Sequence, residues 1–193
     1  MRKSSAILLA LLLLPLTLVA QDTWVQDPAH SRLGFTVTHL GISDIPGHFG
    51  EYEVAITASE EDFSDAQVEL KVQTASIDTR VQDRDDHLRS ADFFHVEQYP
   101  EMTFSSNSIR KTGDKTYELT GDLTLLDVTQ EVTVTMHHRG TIENPMADGA
   151  PVAGIQIVGT IDRSEFGLGD GFPPPMISNT VEIKADGEFM IQQ

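Results

Sequence analysis

Apolar and polar residues alternate along most of this chain after its first twenty positions. Leu33, Phe35 and Val37 lie two residues apart with polar or small residues between them, and this spacing predicts a strand with one buried face. The pattern recurs in roughly eight or nine runs, so we predict an all-β fold. The apolar residues of the later runs are Tyr52, Val54 and Ile56; Val68, Leu70 and Val72; Met102 and Phe104; Tyr117, Leu119, Leu123 and Leu125; Val132, Val134 and Met136; Ile155, Ile157 and Ile161; Val181 and Ile183; Phe189 and Ile191.

Short polar and glycine segments between the runs predict the connections. Turns are expected at Thr112-Gly113-Asp114, Asp148-Gly149 and Asp186-Gly187. A closed antiparallel barrel is favoured over a sandwich, because a single apolar face can close on itself and leave no free edges. Charged residues at outward positions such as Glu53 and Lys71 predict an exterior in water, unlike that of an outer-membrane barrel. An eight-stranded barrel is either filled by side chains or holds one small ligand.

The segment from Arg84 to Phe94 breaks the alternation, since charges and a histidine run directly into paired aromatics. It is also the only segment whose spacing allows a helix. We predict a lid over one end of the barrel, with its charged half facing water and Phe93-Phe94 closing an apolar tunnel.

The N-terminal residues resemble an export signal. Arg2 and Lys3 precede an apolar run from Ala6 to Leu14, which predicts a Sec-type signal peptide over residues 1–20 and a periplasmic, secreted protein of one domain over 21–193. The chain contains no cysteine, so disulfides and a lipid-modified cysteine are excluded. A formal charge of −17 argues against nucleic acid and anionic membrane surfaces as partners.

Candidate catalytic and metal-binding residues are few. The seven histidines lack zincin spacing, and no Gly-x-Ser-x-Gly elbow or cysteine nucleophile is present, so we predict neither a metal site nor an enzyme. His39 continues an apolar face, where it is either a hydrogen-bonded core residue or a ligand contact. His30 lies in a turn, where Asp27 can fix its tautomer. The remaining histidines predicted to be hydrogen-bonded or exposed are His48, His95, His137 and His138.

Four sequence blocks together resemble the YceI-like family of periplasmic lipid-binding or polyisoprenoid-binding proteins. The third block, Arg84 to Phe104, is the most specific of the four. The proline-rich stretch from Gly169 to Ile177 is longer than the family pattern. The blocks are Asp27-Pro28-Ala29-His30-Ser31 with Phe35, Val37 and His39; Gly47-His48-Phe49-Gly50; Arg84-Asp85-Asp86-His87-Leu88 through Asp92-Phe93-Phe94 to Tyr99-Pro100-Glu101-Met102-Thr103-Phe104; and Gly121-Asp122-Leu123-Thr124 with Asp162-Arg163-Ser164-Glu165-Phe166-Gly167.

This resemblance implies a lipocalin-like eight-stranded barrel with a short helix at one end and an apolar internal cavity. It implies a non-catalytic carrier for an isoprenoid, a quinone-like molecule or another long-chain amphiphile, with no cofactor of its own and no stable membrane insertion. Arg84 and Asp85 either lie near the ligand's polar end or pair with each other as part of the lid. The candidate ligand-binding residues are Phe35, Val37, His39, Val54, Ile56, Leu70, Val72, Arg84, Asp85, His87, Phe94, Phe104, Leu119, Val134 and Ile157.

The sequence leaves two other functions open. One is a quinone-linked enzyme or redox partner acting through His39 or His87, and the other is a stress-related structural protein with a filled barrel. The lining residues would be the same in a filled barrel, where they would be ordinary core. A homodimer is also left open, although no apolar outer stripe requires one.

Overall fold

The structure is a computed structural model that describes residues 21–146 and 148–192. The predicted signal peptide, residues 1–20, lies outside the described residues. No helix in the described part of the chain has the length and apolarity needed to cross a membrane. The elements are β1 Asp22–Gln26, β2 Arg32–His39, β3 Ser43–Phe49, β4 Tyr52–Ala58, β5 Gln67–Gln73, β6 Ile77–Asp78, α1 Gln82–Arg89, β7 Glu101–Gly113, β8 Thr116–Leu125, β9 Val128–Glu143, β10 Pro151–Asp162 and β11 Ile177–Ile191, with 3₁₀ turns at Pro28–His30, Thr74–Ser76 and Arg163–Phe166.

The strands form a closed antiparallel barrel, as the alternation predicted. Hydrogen bonding runs β1-β4-β5-β7-β8-β9-β10-β11, and β11 pairs back with β1 to close a ring of eight strands. The other three strands extend the barrel at one end, where β2 pairs with β11 and β3, and β3 pairs with β6. Closure leaves the inward apolar positions facing a common interior.

One predicted turn is wrong. Asp186-Gly187 does not separate two strands, because β11 continues through it from Ile177 to Ile191. Gly187 lies where β11 stops pairing with β2 and begins pairing with β1. A Cβ on Gly187 would lie 2.8 Å from the Ser31 hydroxyl and 2.9 Å from the Phe189 ring, so glycine here permits a close approach rather than a turn. The turn predicted at Asp148-Gly149 is present.

The helix of the lid is shorter than predicted and begins earlier. It spans Gln82–Arg89 and ends where Ser90 adopts an extended conformation, so Phe93 and Phe94 lie in the turns that follow it. The Phe94 N–H donates to the Leu88 carbonyl at 3.0 Å, which folds these turns back under the helix. Phe93 and Phe94 are each 7 % exposed. Both aromatic rings therefore point into the barrel end, as the sequence predicted.

The opposite end of the barrel is closed by the loop between β4 and β5. Phe63, at the centre of this loop, is 1 % exposed and packs against Trp24 at 5.2 Å and His138 at 4.8 Å between ring centroids. The Tyr117 hydroxyl donates to the Asp62 carbonyl at 2.5 Å and fixes the loop to β8. The interior can therefore be reached most directly from the end that carries the lid.

Candidate binding cavity

An apolar cavity of about 400 Å³, here called the outer chamber, lies beneath the lid. Its walls come from β2, β3, β10 and β11, from the lid and from the loop that follows Phe166. Its volume falls within the usual range for small-molecule sites, and a mostly apolar lining with a few polar groups is typical of them. His39, His87 and Met176 line it and are exposed, so its outer end opens toward solvent between the lid and the β2–β3 hairpin.

Two smaller cavities continue the outer chamber toward the far end. The inner chamber, about 140 Å³, shares Phe35, Phe49, Met102, Ile161 and Ile183 with the outer chamber. A terminal void of about 50 Å³ follows it. The walls shared by the inner chamber and the terminal void are Tyr52, Val54, Val68, Ile157 and Ala185. The barrel is therefore not packed solid, and its empty spaces lie in a row.

Arg84 and Asp85 do not pair with each other among the described residues, and both bind Thr79 instead. The Asp85 carboxylate accepts from the Thr79 N–H at 2.8 Å and from its hydroxyl at 2.5 Å. Arg84 donates through Nε to the Thr79 hydroxyl and through Nη2 to its carbonyl, each at 2.7 Å. Arg84 lines the outer chamber, whereas Asp85 is buried behind it. Asp85 therefore positions the lid, and Arg84 presents its guanidinium to the cavity.

His87 lies in an aromatic cluster at the chamber mouth. Its ring meets Phe93 edge-on at 5.1 Å and Phe172 at 5.3 Å, and the rings of Phe93 and Phe172 stack at 4.9 Å. Its Nε2 lies 3.0 Å from Asp92 Oδ2. The cluster joins the lid to the proline-rich loop after β10. That loop, whose length departed from the family pattern, thus forms one wall of the mouth.

Arg163 anchors the same loop through hydrogen bonds to its main chain. It is 3 % exposed and donates five hydrogen bonds, all to main-chain carbonyls. Burial lowers the pKa of its guanidinium, while the nearby carboxylates of Asp170 and Asp162 oppose that shift. An arginine remains charged in proteins, so these carbonyl dipoles stabilise a buried cation. The accepting carbonyls belong to Leu168, Gly169, Phe172, Ile177 and Ser178.

Most of the predicted ligand-binding residues line one of these spaces. Val72 and Asp85 do not, since both are buried in the packed structure around the cavities. His39 is exposed at the mouth, so its interpretation as a buried core histidine was wrong. The outer chamber contains Phe35, Val37, His39, Arg84, His87 and Phe94; the inner chamber contains Phe35, Val54, Leu70, Phe104, Leu119, Val134 and Ile157; and the terminal void contains Val54, Ile56 and Ile157.

Several lining residues were missing from the sequence prediction. Phe49 and Met102 contribute to both chambers, and Phe172 and Met176 come from the proline-rich loop. Phe49 and Met102 lie within the family blocks, so that resemblance was the available signal for them. No periodic pattern marks Phe172 or Met176, because a loop places them.

The surface contains two other features of interest. A depression of about 800 Å³ lies on the outer face of the sheet and is open to solvent, with charged residues such as Glu118, Glu182 and Lys184 along it. Asp27, His30 and Glu188 have ligand atoms within 4.8 Å of one another. Asp27 uses both oxygens locally, accepting from the Ala29 N–H and bonding the His30 ring at 2.7 Å. This contact lowers the pKa of Asp27 and raises that of His30.

Comparison with known proteins places this architecture in a family. The YceI-like domain profile matches residues 24–189. A UPF0312 protein of Staphylococcus aureus strain USA300 is 33 % identical over 171 residues, covering 86 % of this chain and 96 % of the relative. The crystal structure of the Campylobacter jejuni YCEI protein aligns with a TM-score of 0.73 at 26 % identity, covering 81 % of this chain and 90 % of that one.

A more distant structural neighbour is described as a polyisoprenoid binding domain from Saccharophagus degradans. It aligns with a TM-score of 0.66 at 14 % identity, covering 90 % of this chain and all of the other, and at that identity it supports the fold alone. The profile match spans almost the whole described chain. The chain therefore belongs to the YceI-like family.

Proposed function

We propose that this protein is an exported carrier that holds a long-chain amphiphile, such as an isoprenoid or a quinone-like lipid, inside its barrel. The row of apolar chambers beneath the lid is the observation that carries the proposal. A water-soluble barrel gains stability by filling such space with side chains, so preserved apolar space points to a ligand. The polyisoprenoid-binding description of the Saccharophagus degradans neighbour is consistent with this ligand class.

The polar end of the ligand is proposed to lie at the lid and its tail in the barrel. Arg84 donates through Nε and Nη2 to Thr79, while its Nη1 makes no hydrogen bond within the described residues. That N–H group and the His87 ring are available to a hydroxyl, carbonyl or phosphate near the mouth. At about 0.8 kcal/mol per CH₂, burying a ten-carbon tail contributes roughly 8 kcal/mol before ordering costs. The tail thus supplies affinity, and the head supplies orientation.

Binding rather than catalysis is proposed for this site. His87 is packed against two aromatic rings and bonded to Asp92, and His39 lies at the exposed rim. Among the described residues, neither histidine is hydrogen-bonded to a hydroxyl that it could activate as a nucleophile. His39→Ala and His87→Ala should leave tail binding within about threefold of wild type, because burial of the tail supplies most of the affinity. Loss of a ligand-converting activity in either variant would instead support the quinone-linked alternative.

Native mass spectrometry of protein purified from its own organism, followed by organic extraction, tests the carrier proposal. The expected result is a bound mass that extracts as an apolar lipid, together with uptake of farnesol or ubiquinone by the stripped protein. Ile183→Trp, which projects into both chambers, should reduce uptake at least tenfold, whereas Ile142→Trp, at a position 66 % exposed, should not. No extracted lipid and no uptake by wild type would favour the filled structural barrel.

Export is tested separately. Cell fractionation with intact-mass measurement should find the mature protein outside the cytoplasm, beginning at or near Gln21. Replacing Leu9 and Leu12 with Arg would interrupt the apolar run and retain the precursor in the cytoplasm. A cytoplasmic wild-type protein that keeps its first twenty residues would overturn this part of the proposal.

A further inference from the structure

The outer and inner chambers adjoin inside the barrel at the residues that line both, and this junction is here called the constriction. Five residues line both chambers. Among them, Phe35 has a ring that packs directly against the backbone of a glycine on the neighbouring strand. Phe35 on β2 lies directly opposite Gly47 on β3 in the antiparallel register. Directly opposite residues project from the same face of a sheet, so both positions face the interior.

The Phe35 ring occupies the space that a side chain at Gly47 would need. A Cβ built on Gly47 would lie 2.2 Å from Phe35 Cζ, and 2.7 Å and 2.8 Å from the two Cε atoms. The ring is thus laid against the backbone of β3, flat on the barrel wall. Phe49 lies beside it at 5.7 Å between ring centroids, and Phe94 of the lid follows at 5.7 Å from Phe49. A line of three aromatic rings therefore leads from the lid to the constriction.

Other inward glycines differ from Gly47 in what they approach. A Cβ on Gly121 would lie 2.6 Å from Phe104 Cζ, but it would also meet main-chain atoms, Ser105 O at 2.4 Å and Ser106 Cα at 2.7 Å. A Cβ on Gly159 would crowd the Val134 backbone at 3.4 Å as well as its side chain. These glycines are required by the packing of strands. At Gly47, the three nearest atoms all belong to one aromatic ring that can rotate about its side-chain bonds.

We propose that Phe35, whose ring packs against Gly47, is the residue that sets how far an apolar chain can enter the barrel. With the ring on the glycine, the outer and inner chambers are joined and a tail passes between them. With the ring displaced toward the barrel axis, the inner chamber is closed and a bound chain ends in the outer chamber. This inference rests on the proposed binding function and adds a determinant of ligand length to it.

The Phe35–Gly47 contact distance and the volume of the inner chamber indicate how strongly Gly47→Ala should affect chain binding. Moving the Phe35 ring from 2.2 Å to 3.4 Å, where ordinary contact begins, requires a displacement of about 1.2 Å away from β3 and into the constriction. The inner chamber of 140 Å³ holds about five methylene-sized groups at ~30 Å³ each, taking a methylene as similar in volume to a water molecule. Each buried CH₂ increases affinity about fourfold, so losing the inner chamber should weaken long chains strongly and short chains little.

The test measures affinities of primary alcohols from octanol to octadecanol by displacement of bound N-phenylnaphthylamine. In wild type, affinity should rise with chain length until both chambers are filled. Gly47→Ala should stop that rise about five carbons earlier while leaving octanol within threefold of wild type. Phe35→Ala should bind the longest alcohols at least as well as wild type. The double variant Phe35→Ala/Gly47→Ala should behave like Phe35→Ala, because no ring remains to be displaced.

Gly113→Ala is the matched control, since a Cβ there makes only ordinary contact, 3.5 Å from Thr116 Cβ, and Gly113 lines none of the three cavities; it should give the wild-type profile. The inference is overturned if Gly47→Ala keeps the wild-type length dependence, or if the double variant keeps the short limit of Gly47→Ala. Absence of alcohol binding in every protein, octanol included, would instead contradict the carrier function itself. Circular dichroism of each variant identifies a misfolded protein, and Phe35→Ala alone still tests the constriction if Gly47→Ala fails to fold.

Discussion

Thr79 and Asp85 are joined by two hydrogen bonds to a single carboxylate oxygen. Asp85 Oδ1 accepts from the Thr79 N–H at 2.8 Å and from the Thr79 hydroxyl at 2.5 Å, and both residues are only 6 % exposed. The contact spans the junction between β6 and α1, six residues apart along the chain. It fixes the start of the lid helix at the position where Arg84 reaches the outer chamber.

Asp85→Ala should therefore loosen the lid. It leaves a buried N–H and a buried hydroxyl without their acceptor, which typically costs about 1–3 kcal/mol. The free energy of unfolding should fall by that amount in denaturant titrations, and amide exchange in 79–89 should accelerate. Asp83→Ala, at an exposed position of the same helix, is the control and should change the free energy by less than about 1 kcal/mol. Equal losses in both variants would show that Asp85 contributes no more than helix charge.

Arg163→Lys should destabilise the protein although it keeps the positive charge. Lysine cannot reproduce the planar fork that reaches five carbonyls, and carbonyls left unpaired cost about 1–3 kcal/mol each. We expect a loss of at least ~2 kcal/mol in the free energy of unfolding, with increased amide exchange in the 167–178 loop. Arg110→Lys is the control, because Arg110 forms an exposed ion pair with Glu118 and should lose less than about 1 kcal/mol. An unchanged free energy of unfolding in Arg163→Lys would mean that water replaces these hydrogen bonds.

Phe172→Ala should speed ligand exchange. It removes the stacking partner of Phe93 and one ring contact of His87 at the chamber mouth. An aromatic pair contributes about 0.5–1.5 kcal/mol beyond buried area, which corresponds to a rise of roughly two- to tenfold in the rate of probe dissociation measured by stopped flow. Ile142→Ala, at a 66 % exposed position of β9 that lines none of the cavities, is the control and should change the rate by less than about twofold. An unchanged rate in Phe172→Ala would place the exit route elsewhere.

Acidification should weaken the closed end of the barrel through His138. Burial lowers the pKa of this histidine from 6.5, Lys115 lowers it further and Asp62 opposes the shift. The buried Nδ1 atom of His138 has no hydrogen-bond partner in the part of the chain that the structure describes. The unfolded chain therefore binds the proton more readily, so stability is full above pH 6.5 and falls as the pH drops toward the folded pKa. The pH range of this loss lies above the range in which paired carboxylates such as Asp27 titrate, since the ordinary pKa of that group is 3.8.

His138→Gln should flatten that dependence. Between about pH 7 and pH 5 the free energy of unfolding should fall more in wild type than in the variant, in which the opposing contribution of His30, whose pKa is raised, remains. His137→Gln is the control, since the neighbouring residue projects from the opposite face of β9. An equal slope in wild type and His138→Gln would assign the pH dependence to other groups. Histidine NMR titration measures the pKa of His138 directly.

The amino-acid sequence by itself determined the fold class and the composition of the interior. Alternation of apolar residues identifies the inward face of seven of the eight barrel strands, since a side-chain period of two leaves no other way to bury them together. It missed β1, a strand of five residues around Trp24. It also located the lid, because charge and aromatic residues there break the period. The sequence prediction was wrong at Asp186-Gly187, because this dipeptide is typical of turns but lies within β11, where glycine permits the close approach of the Ser31 hydroxyl and the Phe189 ring.

The tertiary structure decided which inward residues enclose space and which fill it. Val72 and Val54 have the same pattern in sequence, yet Val72 is completely buried in packed core and Val54 lines the inner chamber. Empty volume depends on how side chains from distant strands meet, as the Phe35 ring meets Gly47, and no local pattern encodes that relationship. The sequence thus determined an apolar barrel with a lid, and only the packing of its strands decided that the barrel keeps a row of apolar cavities.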